Sequence, residues 1–275
     1  MIKQIDGWLT APQGFIAAGV KAGIKASGKE DVAVIMSTVP AAAGAVFTQN
    51  KMCAAPVIIS REAAKQPYAQ VIVVNSGCAN ACTGEKGLAD AREMASFTAG
   101  LLDIDEKGVY VCSTGVIGHF LPMDKVRTGI ADAVDKMDEN EGESAALAIQ
   151  TTDTFVKKIA YEFELGGKKA RIAGIAKGAG MIHPNMATML TFITTDAAIA
   201  PDVLKRTVKA VADKSFNMVV VDGDTSTNDS MIVLANGLAE NEIILSEEHP
   251  DYPVFFEAFL RAAQELAKMI AHDGE

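Results

Sequence analysis

Between Gly178 and Asp196 the sequence changes character at a single bond. Gly178-Ala179-Gly180-Met181-Ile182-His183-Pro184-Asn185-Met186-Ala187 is rich in glycine, proline and asparagine, which predicts irregular backbone. Thr188-Met189-Leu190-Thr191-Phe192-Ile193-Thr194-Thr195-Asp196 is β-branched and apolar, which predicts a buried strand. A threonine therefore opens a core strand directly after a small residue. Such a threonine can attack the carbonyl that precedes it, break the chain and become an N-terminal nucleophile. Its freed α-amine, with an intrinsic pKa of ~8, is then the base for its own hydroxyl. The pattern is not specific by itself, because a threonine at the start of a strand is ordinary.

The remaining sequence interleaves strands and helices. Residues 14–20, 31–36 and 44–48 read as strands. Gln70-Val71-Ile72-Val73-Val74 is a near-continuous apolar run, as expected of a strand covered on both faces, and it ends in Asn75-Ser76-Gly77-Cys78-Ala79-Asn80. A helix over 84–102 places Leu88, Ala91, Met94, Ala95 and Leu102 near one face. The strand 108–112 leads into Ser113-Thr114-Gly115, where a hydroxyl and a backbone N–H can be aimed at one point. A plain turn accounts for the same residues. Helices over 123–137 and 143–151 follow, then a strand over 170–176 that delivers Lys177 to the glycine-rich segment. Pro201 opens a helix with Leu204, Val208, Val211 and Phe216 as its apolar stripe. Strands over 218–221 and 231–234 are expected to flank the acidic loop from Asp222 to Asp229, and a last helix covers 252–271. Several expected strand pairs lack an intervening helix and no linker divides the chain, so the fold class is α+β with a mixed sheet.

Composition excludes several classes of function. The 275 residues are 49% hydrophobic and 22% charged, the profile of a chain with a large core. A formal net charge of −10 leaves no surplus of cations for nucleic-acid phosphates. No apolar run reaches membrane-spanning length and no signal peptide is visible, which predicts a cytoplasmic protein. The four cysteines include no CxxC pair and read as buried free thiols rather than a zinc site. Counted from Asp222, the acidic loop has Thr227 where a calcium hand needs glycine and Val233 where it needs glutamate. Gly178-Ala179-Gly180 is not a dinucleotide fingerprint, since its sixth position is His183. G-x-S-x-G and H-E-x-x-H are absent from the sequence. His183 lies five residues from Thr188, but a free α-amine makes a histidine base unnecessary.

Lys177-Gly178-Ala179-Gly180-Met181-Ile182 and Pro184-Asn185-Met186-Ala187-Thr188-Met189-Leu190 together resemble the cleavage segment of the glutamate N-acetyltransferase (ornithine acetyltransferase) family of arginine biosynthesis. The segments 50–57 and 75–80 are similar to other signatures of that family. The resemblance implies an N-terminal-nucleophile-like αββα fold, with mixed sheets sandwiched between helices. It implies cleavage between Ala187 and Thr188 into pieces 1–187 and 188–275, packed in one body and assembled as a heterotetramer of two of each. Thr188 would carry the acetyl group from N-acetylornithine to glutamate, with Thr114 and Gly115 as the oxyanion hole. Thr151, Lys177 and Glu275 resemble substrate-binding residues, Lys177 toward a carboxylate and Glu275 toward a cationic amine. No metal or organic cofactor is implied, although acetyl-CoA is a co-substrate for some members. Members run on for more than a hundred residues past the segment that resembles Asp273-Gly274-Glu275, so the chain is expected to be shortened. Two alternatives stay open at this point: an N-terminal-nucleophile aminopeptidase or amidohydrolase, and an inactive binding or assembly subunit.

Overall fold

The computed structural model describes residues 1–182 and 189–274. In chain order the elements are β1 (Lys3–Gln4), β2 (Phe15–Val20), β3 (Val32–Phe47), α1 (Ala55–Ala63), β4 (Tyr68–Cys78) and α2 (Gly84–Leu102). They continue with β5 (Val109–Val116), α3 (Met123–Lys136), α4 (Gly142–Ile149), β6 (Lys157–Leu165) and β7 (Lys168–Lys177). Then come β8 (Leu190–Thr195), α5 (Pro201–Asp213), β9 (Ser230–Ala235) and α6 (Tyr252–His272).

Hydrogen bonding joins the strands in the order β1-β6-β7-β8-β9-β3-β4-β5, with β2 also on β3. The long strand β3 connects the two halves. Its first part pairs with β2 and β4, and its last part, Ala42 to Phe47, pairs with β9. Between Met36 and Ala41 the register against β4 shifts, and Pro40, which has no N–H to offer a ladder, falls in that irregular stretch. Strand alternation then sorts side chains into three cores. Ile35, Ile72, Val74, Tyr110 and Cys112 from one half meet Phe192, Ile232 and Leu234 from the other in a shared inner core. On the outer face of β7–β9, Ile172, Ile193 and Val233 pack under α5 and α6. On the opposite outer face, Val34, Val71, Val73, Val109 and Val111 pack under α2 and α3. The result is helices, sheet, sheet, helices. β4–β5 and β8–β9 are parallel and the other pairs antiparallel, so the sheet is mixed as expected.

Some sequence expectations need correction. Residues 31–36 and 44–48 belong to one strand, because the alanine run between them stays buried and paired. Helix α1 and strand β6 were not read from the sequence. Pro56 starts α1, where a missing N–H costs nothing, and β6 pairs with β7 across Gly166-Gly167, both at positive φ. Residues 218–221 do not form a strand. Val221 donates its N–H to the Ile182 carbonyl instead of a ladder, while Met218 and Val220 face solvent. Of the cysteines, Cys78 and Cys112 are buried, but Cys53 is half-buried and Cys82 exposed. Among the described residues no helix is long and apolar enough to cross a membrane.

Candidate active site

The parallel strands β4 and β5 run in register to a common end, where Ser76 lies beside Thr114 and Gly77 beside Gly115. The sequence suggested a turn here, but both strands continue through these residues. The two glycines hold positive φ values of 98° and 129°. A Cβ on Gly115 would lie 2.4 Å from the Gly77 carbonyl carbon, so only glycine permits this approach. Buried amides fix the strand ends: Ser113 donates to Asn75 Oδ1 at 2.6 Å, and Asn228 Nδ2 donates to the Ala79 and Ser113 carbonyls at 2.7 and 2.8 Å. The amide hydrogens of Asn75 and Asn228 are thus spent on main-chain carbonyls, while their oxygens accept from the Ser113 and Thr227 hydroxyls.

Lys177, the last residue of β7, reaches the same place from the other half of the sandwich. It is almost fully buried, and its Nζ donates to Thr114 Oγ1 at 3.2 Å. Asp153 stands nearby and accepts from the N–H of Gly178 at 2.7 Å and of Thr151 at 3.0 Å. Burial pushes the Asp153 carboxyl up, but Lys177, Lys157 and the Gly178 N–H outweigh it and hold the group below the usual carboxylate range. Thr114, Gly115, Thr151 and Lys177 thus line one cleft of about 670 Å³, together with Lys25, Gly77, Met181 and Asp222. Thr152 lines it too, whereas Thr154 turns away to Asp273. Lys25 donates to the Glu30 and Ala148 carbonyls, and burial brings its pKa down to about 8.

The loop dismissed as a calcium hand holds both flanks of the segment that organises the sequence. Before it, Asp222 accepts from the N–H groups of Met181 and Ile182, the latter at 2.8 Å. After it, Asp229 Oδ1 accepts from the Met189 N–H at 2.9 Å, the amide that joins residue 189 to Thr188. Asp229 is buried, and its Oδ2 makes no hydrogen bond among the described residues. Burial therefore raises its pKa well above the usual carboxylate value, with Met189 and Lys177 opposing only in part. Ala187, Thr188 and Glu275, three residues singled out from the sequence, lie outside the described residues.

A sequence profile of the ArgJ family matches residues 16–275. The chain belongs to the ArgJ family. It is 51% identical to the arginine biosynthesis bifunctional protein ArgJ of Caldanaerobacter subterraneus over 98% of this chain and 67% of that protein. The chain therefore spans about two thirds of the length of this curated ArgJ relative. The crystal structure of ornithine acetyltransferase from Mycobacterium tuberculosis, complexed with ornithine, is 40% identical with a TM-score of 0.63. It covers 67% of this chain and 99% of the solved one. The L-aminopeptidase D-Ala-esterase/amidase of Ochrobactrum anthropi, described as a variant of the Ntn hydrolase fold, is 13% identical with a TM-score of 0.60. That likeness covers 99% of this chain and 88% of the other, and it bears on the fold alone. The αββα, Ntn-like architecture expected from the sequence is thus the one found.

Within this ArgJ chain, sequence reading missed Asp153, Lys157, Asp222, Asn228, Asp229 and Asp273. Asp153 and Asp273 each stand two residues from a suspected one, Thr151 and Glu275, whereas Asp222, Asn228 and Asp229 lie in the acidic loop weighed only as a calcium hand and Lys157 carried no local signal. A hollow of similar size, about 660 Å³, lies between α1 and α2. Its charged residues, among them Glu62, Arg92, Glu93 and Lys107, are ordinary groups of an outer helical surface.

Proposed function

We propose that this ArgJ-family chain is a glutamate N-acetyltransferase that moves an acetyl group from N-acetylornithine to glutamate through an acetyl-Thr188 intermediate. Self-cleavage between Ala187 and Thr188 would first free the α-amine of Thr188. The amine takes the Thr188 hydroxyl proton as the oxygen attacks the acetyl carbonyl. The tetrahedral oxyanion accepts hydrogen bonds from the Thr114 hydroxyl and the Gly115 N–H. Collapse breaks the C–N bond, and the ornithine amine leaves with the proton held by the α-ammonium. The glutamate amine then attacks the acetyl ester and the same steps run in reverse.

The observation that carries this reading is the meeting of Thr114, Gly115 and Lys177 in one cleft. A hydroxyl that accepts from an ammonium keeps its own hydrogen for donation, and the nearby charge polarises it toward an incoming oxygen. Lys177 and Thr151 supply a cation and a hydroxyl for a substrate carboxylate. The solved M. tuberculosis chain is matched over 99% of its length by 67% of this chain, a share close to that of residues 1–187. The pieces 1–187 and 188–275 would stay together, because β8 lies between β7 and β9 in the sheet. Thr114→Ala tests the reading: acetyl transfer should slow by ~10²–10³-fold, the usual loss for one oxyanion donor, with melting temperature little changed. Transfer at the wild-type rate would make Thr114 a strand-end residue only.

A further inference from the structure

Lys157 opens β6 with its side chain wholly buried, at 0% exposure. Its Nζ donates to Asp153 at 2.7 Å and to Asp273 at 2.5 Å, two carboxylates 120 residues apart in sequence, and it lies 4.9 Å from the centre of the Phe155 ring. Each carboxylate is also tied to backbone. Asp153 accepts from the Thr151 and Gly178 N–H groups, and Asp273 accepts from the Thr154 N–H and hydroxyl. Three chain segments far apart in sequence, 151–154, 177–178 and the end of α6, therefore converge on one ammonium.

We propose that Lys157 is a positioning residue: by clamping Asp153 to Asp273 it fixes Thr151, Gly178 and the end of α6 in one arrangement and so sets the substrate-binding side of the cleft. The proposal rests on the reading of that cleft as an acyl-transfer site. A buried ion cluster is a poor way to gain stability, since apolar side chains of the same volume usually serve as well. What it supplies is direction, because each carboxylate oxygen has a fixed donor to satisfy. The same carboxylates also connect the clamp to the cleft. Asp153 faces both Lys157 and Lys177, and Asp273 faces Lys157, so the carboxylate behind the cleft is shared between the buried clamp and the lysine that lines the cleft. Thr151 and Lys177 belong to the cleft, whereas Lys157, Asp153 and Asp273 stand behind it.

The test is hydrogen exchange by mass spectrometry on the full chain, paired with steady-state kinetics, for Asp273→Asn and, as a milder variant, Thr154→Val. Asp273→Asn should speed exchange in the peptides containing Thr151 and Gly178 by ~10-fold while leaving α5 and β9 unchanged. It should raise KM for N-acetylornithine ~10-fold with kcat within about twofold, the split expected when binding rather than chemistry is disturbed. Thr154→Val should shift the same peptides in the same direction by less. Unchanged exchange at Thr151 and Gly178, or acceleration spread evenly over the molecule, overturns the proposal. The coupled exchange in both variants, beside a wild-type chain that transfers no acetyl group, would count against the acyl-transfer reading alone.

Discussion

At the β4–β5 end of the cleft, position is set by backbone; at the Lys177–Thr151 end it is set by buried charge. The first end depends on Gly115, which passes too close to the Gly77 backbone for any side chain, and on Asn228, which spends both amide hydrogens on main-chain carbonyls. The second depends on Asp153, Lys157 and Asp273, which hold backbone only while they hold one another. Sheet register makes a rigid donor pair for charge that appears during a reaction. An ion network makes a pocket whose shape and charge are coupled. The first should fail in rate when altered, and the second in stability and binding.

Lys157→Met gives the largest expected break in that contrast. It fills the space of the lysine but leaves two carboxylates facing each other without their cation. Removing one partner of a buried ion pair costs about 3–5 kcal/mol. Denaturant unfolding should register that loss, whereas Thr114→Ala should lose rate and little stability. Equal stability of the two variants would erase the distinction between the ends.

Asp229→Asn alters the buried carboxylate that accepts from the Met189 N–H and feels the charge of Lys177. Asp229 carries a raised pKa, so between its unfolded and folded values the native chain binds more protons than the unfolded one. Its contribution is full below the unfolded pKa of ~3.9 and is lost with rising pH, at up to about 1.4 kcal/mol per pH unit, until the folded pKa is passed. Asn keeps an oxygen for the Met189 N–H and does not titrate. The stability difference, variant minus wild type, should therefore grow from about pH 4 toward neutrality in denaturant titrations. A difference that stays flat with pH would mean that Asp229 is ionised in the fold like an ordinary carboxylate.

Elements with a strong local period were legible in the sequence. The helix expected over 84–102 is α2, and the apolar run from Gln70 is the core of β4. Helix α1 and strand β6 were missed because they are short or carry charges whose partners lie far away, as with Lys157 at the start of β6. Thr114, Gly115, Thr151 and Lys177 were found through their resemblance to a family pattern, and they line one cleft. The carboxylates behind them were not, because Asp153 and Asp273 acquire meaning only through a lysine that both reach across the fold. Asp222 and Asp229 were read as failed calcium ligands. Their partners are the N–H groups of Met181, Ile182 and Met189, some 40 residues upstream, a relation that no local spacing reveals.

In the proposed function Thr188 becomes an N-terminal nucleophile that carries the acetyl group. Mass spectrometry of the wild-type protein, incubated with N-acetylornithine in the absence of glutamate, tests it most directly. The expected result is two pieces, residues 1–187 and 188–275, with one acetyl group on the peptide that begins at Thr188 and its loss when glutamate is added. A full-length chain that still transfers acetyl groups, or an acetyl group trapped at any other residue, would contradict it.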